Sequence, residues 1–180
     1  VTEDGIWVIN DNDGVDDNSG ETQLINLDYS ELGMKDRGTN HKDRLVANIG
    51  DDRLAGRKGR DGLLGLNGDD ILIGGLGRDR MRGGFGDDTF IFRRMDLRGR
   101  PDKILDFEVG SDIIDLQRVF KVPRLMSDDP FGDFVRIRGN SDRTKIQINR
   151  RGNLEGTNFK TLVVLRDVDF SSIDVDSFVV

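Results

Sequence analysis

The chain has no cysteine, one histidine, one tryptophan, one tyrosine and only three prolines in 180 residues. Without cysteine there is no disulfide framework, no thiol nucleophile and no soft metal ligand, and the fold runs no thiol risk in an oxidising setting. A lone His41 cannot build a His-Glu-x-x-His zinc site, and no Gly-x-Ser-x-Gly elbow occurs. Neither a zinc protease nor a serine hydrolase can be assembled from these residues, so the chain is read as non-catalytic. No apolar run reaches the roughly twenty residues of a membrane helix, and no amino-terminal signal peptide is present. The chain opens on Val1 without a methionine, as a piece of a longer polypeptide would. Aromatic residues make up 7% of the chain, which argues against a large globular core, and the length suits one elongated domain or two small ones.

What the chain does have is glycine and aspartate at a fixed phase. From Gly38 to Ile91 the sequence repeats every nine residues, and the six repeats open at Gly38, Ala47, Gly56, Gly65, Gly74 and Gly83. Their sixth positions are Asp43, Asp52, Asp61, Asp70, Asp79 and Asp88, and their eighth are Leu45, Leu54, Leu63, Leu72, Met81 and Phe90. The fourth position is glycine in five repeats, Gly50, Gly59, Gly68, Gly77 and Gly86, with His41 in the first. His41 reads as a solvent-facing turn residue, with a stray ligand as the alternative. A Gly-Gly-x-Gly-x-Asp-x-apolar-x nonapeptide is the signature of a calcium-binding parallel β-helix.

The spacing has a physical logic. Glycines let the backbone curl through positive φ, and the triplet around each apolar residue is long enough for one short strand. Two nonapeptides make a coil of about eighteen residues, with a strand on each side, a turn at each edge and about 4.8 Å between coils. The fold class is therefore all-β: a right-handed parallel β-roll, a solenoid of the β-helix kind. Aspartates stack in two columns, Asp43, Asp61 and Asp79 on one edge and Asp52, Asp70 and Asp88 on the other. Carboxylates about 5 Å apart repel by about 3 kcal/mol at an effective dielectric near 20. A hard divalent cation removes that repulsion. Calcium suits the site because it takes several carboxylate and carbonyl oxygens with loose geometry, where magnesium demands octahedral order. The candidate ligands are the six aspartates with the backbone carbonyls of Gly50, Gly59, Gly68, Gly75, Gly77, Gly84 and Gly86.

Two details differentiate the repeats. The fifth position alternates as Lys42, Asp51, Arg60, Asp69, Arg78 and Asp87, so one edge is doubly acidic and is expected to hold calcium more tightly. The second position is glycine only at Gly75 and Gly84, with Thr39, Asn48, Arg57 and Leu66 elsewhere. Arginine and leucine resist left-handed geometry, so the early turns are expected to be distorted or metal-free.

The flanks read as small β elements. Ahead of the repeats, Gly5–Asn10 and Thr22–Tyr29 have strand character and bracket an acidic loop. Asp11, Asp13 and Asp16 in that loop are secondary metal candidates, although an EF-hand would need a ligand at Ile9 and a glutamate where Gly20 sits. The alternative there is a solvated acidic turn. After the repeats, the arginine-rich stretch Arg93–Lys103 reads as a solvated linker, because it lacks the stacking aromatics of a nucleic-acid site. Leu116, Val119 and Phe120, between Asp115 and Pro123, mark one short helix. Phe134–Arg138 and Thr144–Asn149 form a hairpin around Gly139-Asn140-Ser141-Asp142, Thr161–Arg166 a third strand, and together an antiparallel cap. The apolar end Ser177–Val180 is expected to fray.

The repeats resemble the RTX (repeats-in-toxin) family of calcium-binding β-rolls. Asp88-Thr89-Phe90-Ile91-Phe92 and the segment Ile104–Leu116 are similar to the region after the repeats in type I secretion target domains, with Asp106 and Asp112 as further secondary metal candidates. The resemblance covers roughly residues 38–180 and weakens over the last sixty. It implies a division into a β capping or linker segment (1–37), the β-roll (38–92) and a carboxy-terminal cap (93–180) whose residues 117–180 carry the signal read by the ABC-transporter channel. It also implies a secreted or cell-surface location on a bacterium and a monomeric module, part of an adhesin-like exoprotein, which folds on meeting extracellular calcium. Each ion bound only by the folded state at ten times its Kd stabilises that state by about 1.4 kcal/mol. Two other readings stay open. In one, the roll grips an anionic polysaccharide or host surface through Arg44, Arg53, Arg80 and Arg82. In the other, it is the tail of a secreted protease or lipase whose catalytic domain lies upstream. An ice-binding role is set aside, since Thr89 stands alone among the strand positions.

Overall fold

A computed structural model describes residues 6–10, 22–26, 35–121, 127–149 and 158–180. The triplet around each apolar eighth position forms a strand, and the glycine-rich remainder turns the chain back. In chain order the strands are β1 (Ile6–Asn10), β2 (Thr22–Asn26), β3 (Lys35–Arg37), β4 (Asp43–Val46), β5 (Arg53–Ala55), β6 (Lys58–Gly59), β7 (Gly62–Asn67), β8 (Ile71–Ile73) and β9 (Leu76–Gly77). There follow β10 (Arg80–Phe85), β11 (Thr89–Ile91), β12 (Asp102–Ile104), β13 (Ile113–Asp115), β14 (Val135–Asn140), β15 (Arg143–Asn149), β16 (Phe159–Arg166) and β17 (Phe178–Val179).

Odd and even repeats go to opposite sides, as a coil of two nonapeptides requires. The odd-repeat strands β4, β7 and β10 lie in a nine-stranded sheet of order β1-β2-β4-β7-β10-β12-β16-β15-β14. The even-repeat strands β5, β8 and β11 lie in a six-stranded sheet of order β17-β13-β11-β8-β5-β3. Pairing is parallel through the roll, and antiparallel only for β1–β2 and the β14–β15–β16 meander. The register places Leu45, Leu63, Met81 and Ile104 in one row and Leu54, Leu72, Phe90, Ile114 and Phe178 in the other. All nine side chains are buried in one core.

The carboxy-terminal residues extend that core. The expected hairpin is present, and its neighbour β16 pairs in parallel with β12, so the cap continues the large sheet. The helix over Gln117–Phe120 buries Val119 and Phe120 in the core, but a second short helix, Pro130–Phe134, was not expected from the sequence. Its Asp129 caps the Gly132 N–H, and Phe134 packs on Phe120 with ring centroids 6.0 Å apart. Two further expectations are corrected. The stretch 93–103 is not a solvated linker: a 3₁₀ turn at Asp96–Arg98 buries Asp96 and Leu97, and Asp102–Ile104 is a strand. The chain end does not fray either, because Phe178 is buried and pairs with Ile114, while Val179 accepts from the Leu116 N–H. In the first place Leu97 inside a polar stretch finds the core, and in the second Phe178 of the short apolar end does.

Phe90 is fully buried, whereas Phe85 keeps 77% of its surface exposed. Phe90→Ala is expected to lower the unfolding free energy of the calcium-saturated chain by about 3–5 kcal/mol. Phe85→Ala is expected to change it by less than about 0.5 kcal/mol. Denaturant unfolding of both variants checks the contrast.

Candidate metal centre

At the turns the repeats present oxygen, not side-chain bulk. All six repeat aspartates are at most 3% exposed. Four of the six carboxylates reach to the preceding coil on their edge: Oδ1 of Asp61, Asp70, Asp79 and Asp88 accepts the N–H of Asp43, Asp52, Asp61 and Asp70 at 2.8–3.0 Å, each eighteen residues earlier. The two expected columns therefore exist as hydrogen-bonded ladders. They run beyond the repeats, for the Asp79 N–H donates to Asp102 Oδ1 and the Asp88 N–H to Asp112 Oδ1.

The second carboxylate oxygen separates the turns into two kinds. Asp43 Oδ2 accepts the Thr39 N–H at 2.6 Å and Asp52 Oδ2 the Asn48 N–H at 3.0 Å, so these turns close on themselves. Asp112 does the same with the Glu108 N–H at 2.8 Å. Oδ2 of Asp61, Asp70, Asp79 and Asp88 is buried and accepts no hydrogen bond. The cause lies four residues earlier. Arg57, Leu66, Gly75 and Gly84 all have positive φ (75°, 86°, 95° and 114°), which turns the N–H away from the carboxylate. Arg57 and Leu66 were expected to distort their turns, yet they take the glycine-like conformation. Left-handed backbone at a leucine or arginine costs roughly 1–2 kcal/mol, a strain that persists only when the surroundings impose it.

The remaining lining is backbone carbonyl. A Cβ on Gly77 would strike the Gly59 carbonyl oxygen and one on Gly59 that of His41, while Gly86 meets Gly68 and Gly68 meets Gly50 on the other edge. His41, itself exposed, thus contributes a carbonyl to the stack. Gly75 and Gly84 lie against the carbonyls of Arg57 and Leu66. Among the described residues no three His, Cys, Asp or Glu side chains converge as a metal site, so any ion here would be held by a few carboxylates plus carbonyls. That donor set fits a hard, oxygen-loving cation with loose geometry, and calcium is the cation of these repeats.

Burial makes the carboxylates hard to ionise on their own. Desolvation pushes Asp61, Asp70 and Asp88 from 3.8 up to about 7, with neighbouring carboxylates adding to it and backbone hydrogen bonds opposing. Asp79 and Asp112 rise to about 6 for the same first reason. Asp51 adds to the shift at Asp70 and Asp69 to that at Asp88, so the fifth-position acids load the doubly acidic edge. Asp69 and Asp87 also donate their N–H groups to Asp51 and Asp69 Oδ1.

Of the secondary candidates, Asp106 accepts the Gly83 N–H at 3.2 Å at the end of the doubly acidic edge, and Asp112 sits in a self-closed turn. Asp11, Asp13 and Asp16 lie outside the described residues. Asp102 and Asp96, both buried, were not singled out in the sequence. Asp102 breaks the nine-residue phase, and the one available signal was its place before a strand triplet, as for the repeat acids.

Comparison with known proteins agrees with this geometry. The family described as "Peptidase M10 serralysin C terminal" matches residues 60–155, and "RTX calcium-binding nonapeptide repeat (4 copies)" matches residues 37–72. Among curated proteins none matches the chain. Two solved structures of Azotobacter vinelandii mannuronan C5-epimerase subunits are similar. The AlgE6R3 subunit is 28% identical with a TM-score of 0.59, over 79% of this chain and 80% of its own. The AlgE6R2 subunit is 23% identical with a TM-score of 0.58, over 83% and 92%, and speaks to fold alone.

The split among the turns and the raised acids each have a measurable outcome. Asp70→Ala is expected to cost calcium binding far more than Asp52→Ala, measured by calorimetric titration, because Asp52 Oδ2 already has a donor in its own turn. The pH dependence has a definite sign: the metal-free fold keeps protons between about pH 4 and pH 7 that the unfolded chain has released, so its stability falls as pH rises through that window. In chelator, β-signal is expected to be greater at pH 5 than at pH 8, and calcium affinity to be lower at pH 5. Circular dichroism that is equal at both pH values in chelator would contradict this.

Proposed function

The chain belongs to the family of serralysin C-terminal domains, and from that premise we propose that it is the calcium-folded, non-catalytic carboxy-terminal module of a larger exported protein and carries that protein's secretion signal. Such proteins leave the cell by the type I route and work outside it. The observation that carries the reading is the set of four buried carboxylate oxygens with no donor. A bound calcium ion supplies the positive charge and coordination positions that let those oxygens stay buried and ionised. The residues themselves hold the ladder, place Oδ2 in the turn hollow and exclude water. At low calcium the stacked acids oppose the fold, and in a calcium-rich medium they favour it, which suits passage through a channel as an extended chain and then folding outside.

On this reading the module is non-catalytic, as repeat domains of this kind generally are, and any activity of the parent protein belongs to another part of it. The adhesin-like, protease and lipase contexts are equally compatible with this chain. No described helix is long and apolar enough to cross a membrane.

A second reading has its own observation. On the outer face of the nine-stranded sheet, Lys42, Arg44, Arg60, Arg80 and Arg82 surround a groove of about 620 Å³. Its floor opens at Gly62, which lies in register between Arg44 and Arg80 and whose missing side chain faces open space. Lys103 extends the same row. In a protein of net charge −7 this is a segregated basic stripe, with cations about 10 Å apart across two strand spacings. An extended polyanion such as a carboxylated polysaccharide fits it, and one similar roll comes from an enzyme of mannuronan.

Fused behind a reporter in a host with a type I transporter, the chain is expected to carry the reporter into the medium in a transporter-dependent way, and retention in the cells would contradict the export reading. The calcium-loaded chain is expected to be retained on alginate resin and released by salt, with retention lost in an Arg80→Glu/Arg82→Glu variant. Passage without retention would remove the second reading.

A further inference from the structure

Arg53 does not share the face of Arg44, Arg80 and Arg82. It lies on β5 in the six-stranded sheet, where the alternation along Arg53–Ala55 turns Leu54 into the core and leaves Arg53 and Ala55 outside. Arg37, Ala55 and Ile73 stand in one register row of that sheet. Beside the row runs the edge segment Arg57-Lys58 with Leu76 of β9, and the 3₁₀ turn at Asp96–Arg98 packs against β9. Together with Arg93 and Met95 these residues enclose a groove of about 410 Å³, a size that holds a small ligand.

The lining divides into charge and hydrocarbon. Arg37, Arg53, Arg57, Lys58 and Arg93 bring cations to the groove, while Ala55, Ile73, Leu76 and Met95 bring apolar surface, with Met95 50% exposed. Asp96 is the one acid among the described lining residues; it is buried, and its Oδ2 accepts the Arg93 N–H at 2.7 Å. A single carboxylate leaves most of that positive charge unbalanced, in a chain of net charge −7. Cations lining a concave, partly apolar wall raise the local potential and draw an anion. The planar fork of arginine suits the paired oxygens of a carboxylate, sulfate or phosphate.

Arg57 supplies a second, independent observation. It holds φ at 75° in the repeat position where the next coil on the same edge has Gly75 at 95°. Glycine takes that backbone without penalty and arginine does not. Strain of this kind gathers at ligand sites, and here the strained residue's side chain is part of the groove.

We propose that this groove binds a small amphiphilic oxyanion, a carboxylate or sulfate-type group joined to an apolar body, with Arg53 and Arg57 on the oxygens and Ala55, Ile73, Leu76 and Met95 against the hydrocarbon. The site is separate from the basic stripe of Arg44, Arg80 and Arg82, which lies on the other sheet.

Octyl sulfate, added as monomer to the 180-residue chain in saturating calcium and followed by calorimetric titration, is expected to bind saturably at one molecule per chain. Inorganic sulfate carries the charge alone and octyl glucoside the hydrocarbon alone, and each is expected to bind at least tenfold more weakly. Arg57→Gly is expected to weaken octyl sulfate about tenfold, as loss of one charge-assisted contact does. Its thermal unfolding in calcium is expected to stay level or rise, because glycine relieves the strained backbone. Arg53→Gln is expected to weaken binding as well, and decides alone if Arg57→Gly does not fold. Arg118→Gln, an exposed position on the Gln117–Phe120 helix, is expected to leave the isotherm unchanged. Isotherms of the folded Arg57 and Arg53 variants that superimpose on the parent's would overturn the proposal. So would an equal loss in Arg118→Gln, or an octyl sulfate affinity no greater than that of inorganic sulfate.

Discussion

Everything in this molecule depends on stacking carboxylates along two edges at strand spacing and burying them. A β-roll brings its turns as close as its strands, so whatever sits at the sixth position of one repeat recurs about 4.8 Å away in the next coil. This sequence places aspartate there, commits one oxygen to the backbone of the preceding coil and leaves the other in the turn hollow. At neutral pH these carboxylates need a proton or a cation, and on the calcium reading folding becomes a function of the surrounding calcium. Within the roll each coil contributes one large apolar residue per side, and the carboxy-terminal elements supply the rest of the core.

The same constraint explains why the turns differ. The second-position residue acts through backbone torsion, because a left-handed residue there withdraws the N–H that would otherwise satisfy the carboxylate. Thr39 and Asn48 leave their acids self-capped, and Arg57 and Leu66 open theirs at some cost in strain. The roll thus has closed turns at its amino-terminal end and open ones through its middle. Solenoids of this kind are stabilised chiefly by contacts between neighbouring units, so an ion held between two coils supports both at once.

Much of this was legible in the sequence, and the reason is periodicity. A strict nine-residue phase fixes which residues stack, so the coil size, the two aspartate columns and the apolar rows could be read directly, as could the cap hairpin from its alternation and turn. What escaped reading was aperiodic. Leu97 anchors a polar stretch to the core, where one apolar residue leaves no pattern, and the apolar end at Phe178 is too short to show a period. The Pro130–Phe134 helix is a single turn held by Asp129 and Phe134. Asp102 occupies a repeat position in space but not in phase, because five inserted residues fold into a 3₁₀ turn. The opposite error concerned Arg57 and Leu66, where intrinsic preference argued for distortion and the neighbouring coils imposed the conformation instead.

The central claim is that calcium, and not the core alone, decides whether the roll forms. Far-UV circular dichroism of the 180-residue chain at pH 7.5, titrated with calcium after chelation and in parallel with magnesium, tests it most directly. A cooperative coil-to-β transition that calcium produces and magnesium does not is the predicted result. Full β structure in the chelated chain, unchanged by calcium, would contradict the account and leave four buried carboxylate oxygens without an explanation.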